Sequence, residues 1–187
     1  MKNGMVLALA ALLLTGLACG LSVGGPTPPA SPIPVSTESV GELQDNLLKA
    51  ATNVPASGEV SLTVTEQQLT SIVALRLQEQ QSLPLRDPQV FLRDGKIQLF
   101  GVAEAGGLRA NALIVISAGL TPEGGVVFKA EEANFGPIPV PEDLLEQVST
   151  TVNEAFKSNF SSKARGLRIT AISIQDGRLS LTGRLIR

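Results

Sequence analysis

The stretch VFLRDGKIQLFG at residues 90–101 returns almost unchanged as ISIQDGRLSLTG at residues 172–183. In both, apolar residues alternate on either side of an Asp-Gly pair: Val90, Leu92, Ile97 and Leu99 in the first, Ile172, Ile174, Leu179 and Leu181 in the second. Period-two alternation predicts strands, and Asp-Gly suits the tight hairpin turn whose positive φ angles only Gly, Asn and Asp adopt cheaply. A displacement of 82 residues carries Asp94 onto Asp176, Gly95 onto Gly177, Lys96 onto Arg178 and Gly101 onto Gly183. One copy would be an ordinary hairpin. Two copies, each after a helical pattern and a proline-bearing connection or loop, imply a duplicated helix-plus-hairpin unit.

Outward from these hairpins, the chain shows helical and strand periods in turn. Val40, Leu43, Leu47, Leu48 and Ala51 recur at helical spacing within residues 38–53, with Ser36 or Thr37 available as the cap. Val60, Leu62 and Val64 alternate with Ser61 and Thr63 as a half-buried strand. Thr65 and Gln68 form a capping box ahead of Leu69, Ile72, Val73 and Leu77, which predicts a helix to about residue 81. Period-two alternation then holds from Gln89 for about 45 residues; the consecutive apolar run Leu113, Ile114, Val115, Ile116 requires cover on both faces of its strand. The proline-rich link at residues 136–141 cannot join a central ladder. Pro141, followed by Glu142 and Asp143, opens a helix expected to run over residues 141–160, ~30 Å at 1.5 Å per residue, with Leu144, Leu145, Val148, Val152, Ala155, Phe156 and Phe160 on one face. The expected fold class is α+β, a strongly twisted antiparallel sheet wrapped around long amphipathic helices, with both hairpins in the one sheet.

At 187 residues and net charge −2, the chain is one domain with a short appendage. There is no basic stripe, and six Phe without Trp or Tyr offer no stacking platform, so nucleic acid is not expected as a partner. Histidine is absent and Cys19 is the single cysteine, which removes the commonest general base, thiolate metal clusters and intramolecular disulfides.

Residues 1–19 have the form of an export signal: Lys2, an apolar run over residues 5–14, then Thr15-Gly16-Leu17-Ala18 before Cys19. The run is short for a transmembrane helix. The segment resembles a bacterial lipoprotein signal, which implies a cysteine acylated with chains such as palmitate and an extracytoplasmic protein anchored to the cell membrane. It departs from the usual lipobox, since Gly16 stands three before Cys19 and Leu17 two before. Ordinary signal cleavage or an uncleaved anchor are the alternatives, with Cys19 then an incidental small residue. Residues 20–37, rich in Gly, Pro, Ser and Thr, are expected to be an extended tether holding a single domain, residues 38–187, off the membrane.

With that start, VTEQQL opening a helix after a short strand, the DGKIQLFG hairpin, the Pro-Ile-Pro-Val-Pro lead into a second helix and the closing IQDGRLSLTG strands, the chain resembles the LmeA-type and YceB-type families of small bacterial extracytoplasmic proteins, similar in fold to the tubular lipid-binding (BPI-like) superfamily. The likeness spans residues 58–187. It implies a curved sheet around a long helix, an apolar groove between them, and lipid binding or transfer at the cell envelope. No ligand-binding motif of that superfamily matches residue by residue.

Catalytic patterns are missing. Glu131-Glu132 sits on a strand, where neighbours face opposite ways, and Glu142-Asp143 suits a helix start. Asp94 and Asp176 are explained by their turns. Gly106-Gly107 and Gly124-Gly125 lack the Lys-Ser/Thr of a phosphate loop. No serine has a histidine to activate it. The expectation is therefore a non-enzyme without cofactor or metal. Candidate groove residues are Leu69, Ile72, Val73, Leu113, Val115, Leu144, Val148, Val152 and Phe156, with plain core as the competing assignment. Small residues (Ala103, Ala110, Ala112, Ala118, Ala130, Ala133) and scarce aromatic bulk favour an unfilled channel. The expected function is binding or carrying a lipid or other apolar ligand; the alternative is an envelope scaffold or assembly factor that binds a protein partner. Feeding cells a fatty-acid analogue should label the chain through Cys19, and Cys19→Ala should abolish the label; persistent labelling of that variant would exclude lipidation there.

Overall fold

The structure, a computed structural model, describes residues 21–22, 24–53, 55–79, 85–158 and 167–185. In chain order the elements are β1 (Leu21–Ser22), α1 (Thr37–Thr52), β2 (Glu59–Thr65), α2 (Glu66–Glu79), β3 (Leu85–Arg93), β4 (Lys96–Ala105), β5 (Leu108–Leu120), β6 (Val126–Asn134), α3 (Leu144–Phe156), β7 (Leu167–Gln175) and β8 (Arg178–Leu185). Both Asp-Gly pairs turn a hairpin, β3 into β4 and β7 into β8. Asp94 and Gly95 have φ of +54° and +70°, Asp176 and Gly177 +49° and +71°, so both central residues take the left-handed conformation the turn requires. The copies also share a flaw. The first strand of each loses register, between Arg86 and Gln89 and between Ile169 and Ala171. Gly101 and Gly183 lie beside these bulges, where a Cβ would come within 2.7 Å of Leu85 Cδ1 and 2.9 Å of Leu167 Cγ.

The hairpins do not share a sheet. β3 and β4 belong to a sheet ordered β1-β5-β4-β3, with β6 also on β5; β7 and β8 form a second sheet ordered β2-β8-β7. All pairings are antiparallel except that of the short β1 with β5. Each sheet has one strongly apolar face, and stacking the two buries both. Val90, Leu92, Ile97, Leu99, Ile114 and Ile116 of the first sheet join Leu62, Val64, Ile169, Ile174, Leu179 and Leu181 of the second in one core. Leu92 is fully buried.

The expected sheet wrapped around long helices is therefore corrected to two stacked sheets with short helices at their margins. The helices have 16, 14 and 13 residues, about 20–24 Å each. The last starts at Leu144 rather than Pro141, because residues 141–144 close a turn with Leu144 N–H donating to Pro141 O at 3.1 Å. Its expected final residues lie outside the described ones. The Thr65/Gln68 capping box forms reciprocally, Gln68 N–H to Thr65 Oγ1 at 3.3 Å and Thr65 N–H to Gln68 Oε1 at 3.0 Å. Ser36 caps α1, which packs on α2 and β2.

Polar residues on α2 and α3 explain where these helices sit. Thr70 Oγ1 accepts from Val90 N–H at 2.9 Å and Glu66 Oε1 from Leu92 N–H at 2.7 Å, so α2 closes the free edge of β3. Along β6, Asn153 accepts from Phe128 N–H at 2.9 Å and donates to Phe128 O at 2.7 Å, while Ser149 Oγ accepts from Ala130 N–H at 2.9 Å. A helix bearing such groups is held at a strand edge, where unpaired N–H groups are, and not across a sheet's apolar face. Thr70 has no exposed surface, so Thr70→Val keeps the shape but strands a buried N–H; urea unfolding should show a loss of about 1–3 kcal/mol.

Candidate functional site

Where α3 runs along β6, an open groove of about 700 Å³ is lined by Lys129, Ala130, Glu131, Leu145, Glu146 and Ser149. Ala130 is buried and Leu145 half-buried, forming the apolar floor; Lys129, Glu131 and Glu146 are exposed and form the charged rim. Ser149 fixes the spacing of helix and strand, because its hydroxyl donates to Leu145 O at 2.6 Å while accepting from Ala130 N–H.

Glu131 owes its position to a register shift. Glu132 pairs with Val115 and Ala130 with Ile116, which leaves Glu131 as the unpaired bulge residue. Its carboxylate forms an ion pair with Lys96 at the start of β4. Lys96, and then the Ser117 hydroxyl, hold the Glu131 carboxyl below the usual carboxylate range. Glu104 is lowered similarly by Arg109 and then Arg86, at the far end of β4. Glu132 follows Glu131 as an exposed residue of the ladder opposite Val115.

The sequence-derived groove candidates fall in three places. Leu69, Ile72 and Val73 of α2 pack half-buried against the core beside β3. Leu144 and Val148 of α3 are core residues beside β6, with Val152 and Phe156 half-buried next to them and Phe156 meeting Phe128 edge-to-face at 5.4 Å. The strands β3, β4, β5 and β6 separate the two groups, roughly three spacings of 4.8 Å. Leu113 and Val115 are half-buried and point to the outer face, away from Ile114 and Ile116. The groove beside α3 is lined by none of these candidate residues. Ala103, Ala110, Ala112 and Ala130 are 1–4% exposed within the core.

The actual groove residues were hidden for local reasons. The β6 bulge marks the sequence only as the consecutive pair Glu131-Glu132, which breaks the alternation of Phe128 and Ala130 before Ala133, and Ser149 and Asn153 read as ordinary polar positions on an amphipathic helix. Their i, i+4 spacing was the available signal. Cys19 lies outside the described residues. Among the described residues no helix is long and apolar enough to cross a membrane, and no three His, Cys, Asp or Glu side chains gather as a metal site would need.

The geometry defines a two-sheet α/β sandwich with helix-covered edges and an open groove. No protein-family model, no curated protein and no solved structure matches the chain.

Because the folded-state pKa of Glu131 lies below its unfolded one, its stabilising contribution is complete above the ordinary carboxylate pKa and disappears as pH falls through the folded value. Thermal melts from about pH 6 down to about pH 3 should therefore show a shallower acid loss for Glu131→Gln than for the parent, with a remaining slope from Glu104.

Proposed function

We propose that the protein is an extracytoplasmic lipoprotein, anchored through Cys19, whose domain is a non-enzymatic binding module for a lipid or similar amphiphile. The observation that carries the ligand class is the groove beside α3: an apolar floor of Ala130 and Leu145 under Lys129, Glu131 and Glu146 suits a molecule with one apolar and one charged part. The groove lies at a sheet edge, not between helices and a curved sheet, so the ligand would be held at the surface with its polar end in water. The two-sheet arrangement departs from the helix-centred fold that the family resemblance implies, and the reading rests on the signal segment and the groove instead.

A non-enzymatic role is supported by the engagement of the well-placed acids: Glu66 with Arg93, Glu104 with Arg86 and Arg109, and Glu131 with Lys96. Asp94 and Asp176 serve their turns. The openness of the groove also favours a second reading, an envelope scaffold whose protein partner lays a short apolar segment there.

Native mass spectrometry of the purified domain, with lipid extraction, separates the two. Lipid should be recovered with the parent chain, and Leu145→Trp, which fills the groove, should lose it while melting within a few degrees of the parent. Absence of lipid from both would remove the lipid reading, and capture of one partner lost in Leu145→Trp would establish the scaffold.

A further inference from the structure

The Gly/Pro-rich stretch between the signal and α1 is bonded to the fold at three points. Gly24 O accepts from Asn111 N–H at 2.8 Å. The Gln89 side-chain amide brackets Ile33, accepting from its N–H at 2.5 Å and donating to its carbonyl at 3.2 Å. Ser36 N–H donates to Ser71 Oγ at 3.0 Å. Asn111 and Gln89 belong to β5 and β3, with β4 between them, so residues 24–36 cross the outer face of the larger sheet as a strap. Gly25 is built into this contact: at φ +107°, its Cβ would fall 2.1 Å from Asn111 O.

The start of the strap has a direction. β1 runs parallel to β5, with Leu21 opposite Leu108 and Ser22 opposite Arg109. Because β5 begins at Leu108, the upstream end of β1 points toward the β4–β5 turn at Gly106-Gly107. Cys19 precedes Leu21 by two residues, a reach of at most about 7 Å. A lipid on that cysteine would leave the molecule at this turn. The turn offers a matching surface: Ala105, Gly106, Gly107, Leu108 and Arg109 are all exposed, Leu108 at 39%. Arg86 and Arg109 both pair with Glu104 beside this turn, which spreads their guanidinium groups along its flank.

We infer that the β4–β5 hairpin tip lies on the membrane surface, with Leu108 entering the interface and the strap holding the domain in that one orientation. This rests on lipidation of Cys19. It also replaces a free spacer with a short leash: the acyl chains supply the affinity and the tip sets which end of the sandwich faces lipid.

The native chain has no tryptophan, so single-Trp variants of the full lipidated protein report position directly. Leu120 is similarly exposed at the opposite end of β5, about 40 Å away, and serves as the reference. On vesicles of phosphatidylglycerol and phosphatidylcholine with brominated acyl chains, Leu108→Trp should be quenched several-fold more than Leu120→Trp. Adding Gly25→Val to Leu108→Trp, which unseats the strap, should bring the two to the same level. Equal quenching of the two single variants, or an unchanged signal after Gly25→Val, with intact mass showing acylated Cys19, would overturn the inference and leave the anchoring intact. A chain recovered from cells without acyl groups would overturn both.

Discussion

Four helical residues advance about 6.0 Å and two strand residues about 6.8 Å, and this near match governs the architecture. Glu66 and Thr70, one turn apart on α2, meet the outward N–H groups of Leu92 and Val90, two apart on β3. Ser149 and Asn153 on α3 meet Ala130 and Phe128 on β6 in the same way. A helix can therefore run beside a strand and satisfy its open edge with side chains, as another strand would with backbone. The β3 and β6 edges of the larger sheet are closed by this means, which reduces the unpaired strand edge that invites association between chains.

With the helices committed to the edges, the apolar face of the larger sheet is left for the second sheet, and the duplicated hairpins end on opposite sides of the core. Glu66 ties them together. Its carboxylate takes the Leu92 N–H and the Arg93 guanidinium from the first hairpin, while its own N–H donates to Gly177 O in the turn of the second at 3.3 Å. The two copies thus converge on the first turn of one helix although they pair in different sheets. The outer face of the larger sheet has its own apolar centre, with Phe91 and Phe100 edge-to-face at 5.7 Å and buried to 4% and 7% exposure beneath the side of the sheet that the strap crosses.

The same edge contact makes the groove. Ser149 sets the distance between α3 and β6, Ala130 and Leu145 form the base of the gap between them, and the bulge residue Glu131, paired with Lys96, stands on its rim. An amphiphile-binding role for this gap and a membrane-facing role for the β4–β5 tip would place ligand site and anchor on different parts of one sandwich, β6 with α3 for the first and the start of β5 for the second.

Local features were legible because their causes are local. Asp94-Gly95 and Asp176-Gly177 declare hairpins through the φ angles they tolerate, Thr65 and Gln68 declare a helix start through reciprocal bonds, and alternation declares which strand residues share a face. Alternation does not say what covers that face. Whether Leu92 and Ile114 meet a helix or another sheet depends on long-range packing, and Ser149 and Thr70 look alike whether they face water or a strand edge. The sequence alone determined the hairpins, the caps of α1 and α2 and the order of helices and strands from Thr37 onward. Tertiary structure alone decided that the hairpins part into two sheets, that polar side chains hold the helices at the edges, and that Gly25 seats a strap on Asn111, because each depends on backbone groups distant in the chain finding their hydrogen-bond partners.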